Sequence, residues 1–210
     1  MNNEMNIGTR QMRTISSDFK IRETSDTNEK RIEGYFAVFD GTYDMGDGMS
    51  ESIDPHAFDE TISGDVRALV NHDTTLVIGR TLARTLDLKI DAHGLWGSIL
   101  INPNDQDALN EYARTQRGDV NQCSFGFDIL SEDTDVNADG SIHWTIRKIK
   151  LYEVSVCTFP AYETTEVSAR SADAKNIRKK SLDAWKIRMS NKLKGAKKDG
   201  TESADSEKED

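Results

Sequence analysis

Between Arg31 and Cys157 the apolar residues come in runs no longer than a strand: IEGYFAVF, VRALV, LVIGRTL, LDLKI, GLWGSILI, QCSFGFDIL, IHWTIRKI and LYEVSVCTF. Turn signals separate them, notably DAHG at 91–94 and NADGS at 137–141. Each ends a tight turn near a glycine, which accepts positive φ without steric cost. Short strands at hairpin spacing predict a mainly β chain with helices, an α+β fold built as a compact barrel of about seven strands.

Two segments interrupt the strands. DPHAFDETIS (54–63) opens with an Asp cap and a proline at the first helical position, and predicts a helix. NPNDQDALNEYARTQRG (102–118) predicts a longer one, with acidic residues early, Arg114 and Arg117 late, and Gly118 as its stop. Residues 1–29 are polar without a sustained period and read as a flexible arm, with at most one edge strand near its end. Residues 30–170 form the main domain. From 171 to 210 the chain turns basic and helical, with Leu182, Trp185, Met189 and Leu193 at helical spacing, and closes on the acidic, polar DGTESADSEKED, which reads as disordered.

Charge follows the same division. Residues 30–170 hold 12 Lys/Arg against 24 Asp/Glu, whereas 171–210 hold 11 against 8. An acidic central domain repels phosphate backbones, which argues against direct nucleic-acid binding there. No apolar run approaches the roughly 20 residues of a membrane helix, and the N-terminus has no secretory h-region. Cys123 and Cys157 lie in separate apolar strands and read as reduced, buried thiols of a soluble intracellular protein. No His or Cys spacing matches a zinc pattern, so neither a metal nor another cofactor is expected.

Chemistry concentrates in three segments. LVNHDTTLVIGR (69–80) places His72 between two strands, as a hydrogen-bonded turn residue or as a base. In DVNQCSFGFDI (119–129), alternation sends Cys123, Phe125 and Phe127 to one face and Gln122, Ser124, Gly126 and Asp128 to the other. Ser124 then offers an accessible hydroxyl, or is an ordinary small polar residue on a wet face. In LYEVSVCTFPAYETTEV (151–167), Glu153 shares a face with Leu151, Ser155 and Cys157. A carboxylate among apolar strand residues needs a partner; an imidazole would serve, as would Arg147 or Lys150.

These segments, in this order with GYFAVFD, ESIDPHAF, GLWGSI and RKIKLYEVSVCTFPAY, resemble the tailed-phage prohead maturation proteases, relatives of the herpesvirus assemblins. The resemblance spans about residues 31–170. It implies a herpesvirus-protease-like fold and a serine endopeptidase with His72 as base and Ser124 as nucleophile. For the third member it favours Glu153, with His143 as the alternative, by analogy with the second histidine of assemblins, and Asp73 behind both. Backbone N–H groups, with Arg147 as a possible helper, would form the oxyanion hole. The implied substrates are scaffold or the scaffolding segment of the major capsid protein, and the chain itself by autocleavage. The implied setting is the inside of a procapsid in the host cytoplasm, with a homodimer or higher oligomer as a further expectation. Three other readings compete. A non-enzymatic scaffold or capsid assembly module on the same fold predicts Ser124 buried, or too far from His72 to share a hydrogen bond. A Cys–His peptidase would use Cys123. A carbohydrate- or lipid-binding barrel accounts for the strands but not for the motifs.

Overall fold

The computed structural model describes residues 10–16, 19–24, 29–39, 41–159 and 163–202. It divides into two units, Met1–Ala169 and Arg170–Asp210. The first holds two sheets. One contains seven strands and runs β1 (Arg10–Ser16), β10 (Gln122–Val136), β11 (Ile142–Cys157), β5 (Met49–Ile53), β4 (Tyr43–Gly46), with β6 (Arg67–Val70) also on β11 and β7 (Asp73–Arg80) on β6. The other has four: β2 (Lys20–Thr24), β3 (Glu29–Val38), β9 (Gly94–Leu100) and β8 (Leu86–Ile90).

The α+β class stands, but the expected barrel of about seven strands does not: eleven strands form among the described residues, and neither sheet closes. The cause is the length of β11. Its first part pairs in parallel with β5, at Ile142 to Ile146, and its last part with β6, at Glu153 to Val156. One long strand with two successive partners makes the sheet branch rather than close.

The β10–β11 hairpin is the spine of the unit. Gly140 turns it at φ +84°, the left-handed conformation that suits glycine. Alternation along β10 behaves as expected on one face: Cys123, Phe125, Phe127 and Ile129 are all buried in the core. Phe125 and Phe127 stack with centroids 4.9 Å apart, and Phe58 packs against Phe125 at 5.6 Å. Burying each such ring stabilises the fold by about 1.5–3 kcal/mol. The ladder pairs Gly126 with Glu153 and Phe127 with Leu151, so Tyr152 bulges out of register beside Glu153.

Within the segment expected to be a loose arm, the described residues form two strands. β1 pairs antiparallel along β10 from Arg10–Asp128 to Ser16–Gln122, and β2 pairs with β3. Arg13 explains how so polar a strand is held: its guanidinium grips the buried Glu51 carboxylate in a fork, Nε to Oε1 at 2.6 Å and Nη2 to Oε2 at 2.9 Å. The segment 54–63 keeps its cap, with Asp54 Oδ1 accepting from His56 N at 2.8 Å, but makes only a 3-10 turn, Pro55–Phe58. Ala57 and Phe58 are buried there, and turns carry the chain on to Gly64. The longer helix is α1 (Gln106–Arg117), capped by Asp105 and stopped by Gly118 in the left-handed region.

The second unit is helical. α2 (Glu163–Glu202) leaves Leu182, Trp185, Ile187, Met189 and Leu193 exposed within the chain. The acidic tail expected to be disordered lies, from residue 203, outside the described residues. No helix among the described residues is long and apolar enough to cross a membrane.

Candidate active site

The NHD triplet is the connection between β6 and β7. Val70 pairs with Asp73, which leaves Asn71 and His72 as a two-residue hairpin loop, with φ of +51° and +61°. Positive φ at both central residues is the turn that suits the twist of paired strands. Asparagine and histidine adopt it more often than most residues, but outside glycine it stays uncommon and is held by its surroundings. Here Asn71 does much of the holding. Its N–H donates to Val156 O at 2.9 Å, and its Oδ1 accepts from Thr158 N at 2.9 Å. The loop is thereby tied to the end of β11.

That tie brings His72 over the polar face of β11. His72 Nδ1 lies 2.7 Å from Glu153 Oε1. A carboxylate can only accept, so Nδ1 carries the proton and the lone pair is on Nε2. Glu153 Oε2 accepts from Ser155 Oγ at 2.6 Å, and Ser155 Oγ in turn accepts from His72 N–H at 3.3 Å. Glu153 is 8% exposed and His72 21%, so the pair lies at the floor of a site that still reaches solvent. Gly126 makes room for it: a Cβ there would fall 2.4 Å from Glu153 Oε1.

Ser124 belongs to the same face. The ladder sets it directly across from Ser155, with Gly126 across from Glu153 and Gln122 across from Cys157. Its hydroxyl is buried without a hydrogen-bond partner among the described residues. The expected accessible hydroxyl is therefore corrected: Ser124 is 0% exposed, flanked by Thr14 of β1 on one side and Ser155 on the other. An orphaned buried hydroxyl is costly unless something else is to bond it.

The remaining candidates lie elsewhere. His143 is ten residues before Glu153 on β11, on the order of 30 Å along the strand. Its ring is clasped between Ser50 Oγ and Ser52 Oγ, both at 2.8 Å. Asp73 is exposed, and its Oδ1 caps Thr75 at N (2.8 Å) and at Oγ1 (2.6 Å). Arg147 pairs with Asp133 at 2.7 Å and with Asp54. Cys123 faces the core and donates to Tyr35 O at 3.0 Å. The thiol near the site is instead Cys157, whose Sγ lies 3.9 Å from His72 Nε2. Burial, reinforced by the Glu153 carboxylate, pushes that thiol up to about 12, so it is neutral at ordinary pH. Ser155 and Cys157 were already grouped with Glu153 by alternation in the sequence, but only strand pairing puts them beside His72.

The chain is similar to known proteins. A family profile described as Caudovirus prohead serine protease matches residues 17–180. The prohead protease of Enterobacteria phage HK97 is 31% identical over 163 residues, covering 75% of this chain and 68% of that protein. Among solved structures, the capsid assembly protease of bacteriophage T4 aligns over 70% of this chain and 96% of its own, at 10% identity and a TM-score of 0.45.

Proposed function

The chain belongs to the caudovirus prohead serine protease family, a serine protease with a role in capsid maturation, and on that premise we propose that Ser124, His72 and Glu153 are its nucleophile, base and orienting carboxylate. The observation that carries this reading is the 2.7 Å contact between His72 Nδ1 and Glu153 Oε1, made on the face of the sheet that also bears Ser124. It leaves Nε2 as the imidazole's proton acceptor. Nε2 takes the Ser124 proton as Oγ bonds to the peptide carbonyl carbon, and Glu153 stabilises the imidazolium formed. Collapse of the tetrahedral adduct breaks the C–N bond, and Nε2 returns the proton to the leaving amine. Water, deprotonated by the same nitrogen, then bonds to the acyl carbon, and Nε2 returns that proton to Ser124 Oγ as the acyl C–O bond breaks.

The substrates of this reading are scaffold or the scaffolding segment of the major capsid protein, and the chain itself, inside the procapsid. The state of Ser124, buried and with no hydrogen bond from its hydroxyl to His72, is what suits a non-catalytic assembly module. Membership of a serine protease family makes it instead a closed site, into which a peptide enters only when a neighbour of Ser124 moves. Co-expression with the cognate capsid protein, read by intact mass, separates the two. Wild type and Cys123→Ala are expected to trim the capsid protein and themselves, and Ser124→Ala to yield only full-length chains. Normal processing by Ser124→Ala would overturn the assignment.

A further inference from the structure

We propose that Ser155 is a positioning residue of this site, a single hydroxyl that fixes the Glu153 carboxylate and the His72 main chain in one geometry. The proposal rests on the roles of His72 and Glu153 given above. Ser155 touches no reacting atom; it acts through those two residues.

Three features single it out. Ser155 is wholly buried on β11, between Ser124 of β10 on one side and Leu69 of β6 on the other. Its backbone therefore has little freedom, and a hydroxyl mounted on it is a fixed reference point. Its bonds are also directional. The one proton goes to Glu153 Oε2 at 2.6 Å, and the lone pairs receive His72 N–H at 3.3 Å. With Oε1 engaged by His72 Nδ1 and Oε2 by Ser155, the carboxylate plane cannot turn about its terminal bond without losing a charge-assisted hydrogen bond. Finally, His72 occupies a left-handed loop position, a conformation uncommon outside glycine. The bond from its N–H to Ser155 ties that loop to the strand carrying Glu153. Since its proton is committed to the carboxylate, Ser155 does not compete with Ser124 to donate to Nε2.

A bland role, satisfying a buried carboxylate and nothing more, predicts a loss of stability without a specific change at the imidazole. The test uses the full chain and two readouts. Processing of the co-expressed capsid protein is followed over time by intact mass for wild type, Ser155→Ala, Ser155→Cys and Ser155→Thr. In parallel, the Nδ1–H proton resonance of His72 is observed in a Ser124→Ala background, which prevents self-digestion, and is assigned by its loss in His72→Gln. Ser155→Ala is expected to slow processing about ten- to a hundredfold and to shift or broaden the Nδ1–H resonance. Ser155→Thr, which keeps the hydroxyl, is expected to restore both. Ser155→Cys keeps the volume with only a weak donor and is expected to behave as Ser155→Ala, which covers the case in which the alanine variant does not fold. The proposal is overturned if Ser155→Ala and Ser155→Cys process within about twofold of wild type, if the resonance is unmoved, or if Ser155→Thr restores neither. Should Ser124→Ala itself process, the parent assignment fails. Should Ser124→Ala be inert while both Ser155 variants are unaffected, only the positioning role does.

Discussion

Glu153 occupies the space where Gly126 has no side chain, and this contact explains the glycine in CSFGF better than backbone freedom does. A Cβ 2.4 Å from Oε1 would meet the carboxylate head itself. Gly126→Ala is therefore expected to displace Glu153 from His72 and to lower capsid processing at least about a hundredfold, as losing a triad carboxylate does; near-normal processing by intact mass would mean the carboxylate has another place to go. The thiols give the opposite expectation. With Cys157 pushed to about 12, the thiolate at pH 8 is about one part in ten thousand, and Cys123 is buried on the core face. Iodoacetamide at pH 8 should leave both unmodified in the native chain, and alkylation of Cys157 seen by peptide mass would show the site far more open than this conformation. His72 and Glu153 were legible in the sequence because each broke a local pattern, an imidazole in a loop and a charge in an apolar strand. The face of Ser124 was legible too, since alternation needs no partner. Its burial was not, because that depends on which strands lie on either side of β10.

β1 is one of those strands, and it illustrates why elements were harder to read than residues. RQMRTIS has little apolar content, and beside its ladder on β10 it is held by an ion pair whose acceptor, Glu51, lies 38 residues away. Removing the cation takes the charged fork away from a buried carboxylate, so Arg13→Met is expected to destabilise the chain by about 3–5 kcal/mol, with Arg13→Met/Glu51→Leu recovering most of it. Chemical denaturation of the single and double variants measures this, and a single variant within about 1 kcal/mol of wild type would show the pair to be dispensable. Of the two strands flanking Ser124, β11 is paired on both edges, whereas β1 ends the sheet. Amide exchange should accordingly be faster in residues 10–16 than in 149–157, and equal protection would rule out β1 as the neighbour that moves. The barrel expected from strand count failed for a related reason. Strand number and hairpin turns are local, but the parallel pairings of β11 with β5 and β6 join segments about 85 to 95 residues apart. α1 was legible because its charges lie within the helix and its stop, Gly118, directly follows it.

At the scale of the whole chain, acidity is the dominant feature, with a formal charge of −10 concentrated in the strand-rich unit. Most of the perturbed carboxylates are held below their ordinary range by hydrogen bonds. Asp54 is held chiefly by His56 N–H, Asp65 by Arg80, Asp73 by Thr75, Asp91 by Tyr35 and Asp139 by Ser141 N–H. A carboxylate depressed in the folded state contributes stability that is complete above its unfolded value and is lost as pH falls through the folded one. Glu111 has the opposite sign. Burial raises it, against the pull of Arg114, so it detracts from stability above its folded value and ceases to do so once protonated. The depressed aspartates are mostly exposed and individually weak, but five act together against one. Tm should therefore be level from pH 8 to about 5 and fall below about pH 4, where these aspartates take up protons. Glu111→Gln isolates the contrary contribution. At pH 8 it removes a penalised buried charge and gives up only a bond to the half-exposed Arg114, 3.2 Å away. It should raise Tm at pH 8 and lose that advantage by about pH 4, where wild-type Glu111 is itself neutral. If Glu111→Gln instead lowered Tm at pH 8 and matched wild type in acid, the Arg114 pairing would outweigh burial. Glu111 would then join the aspartates as a carboxylate stabilised by its charge.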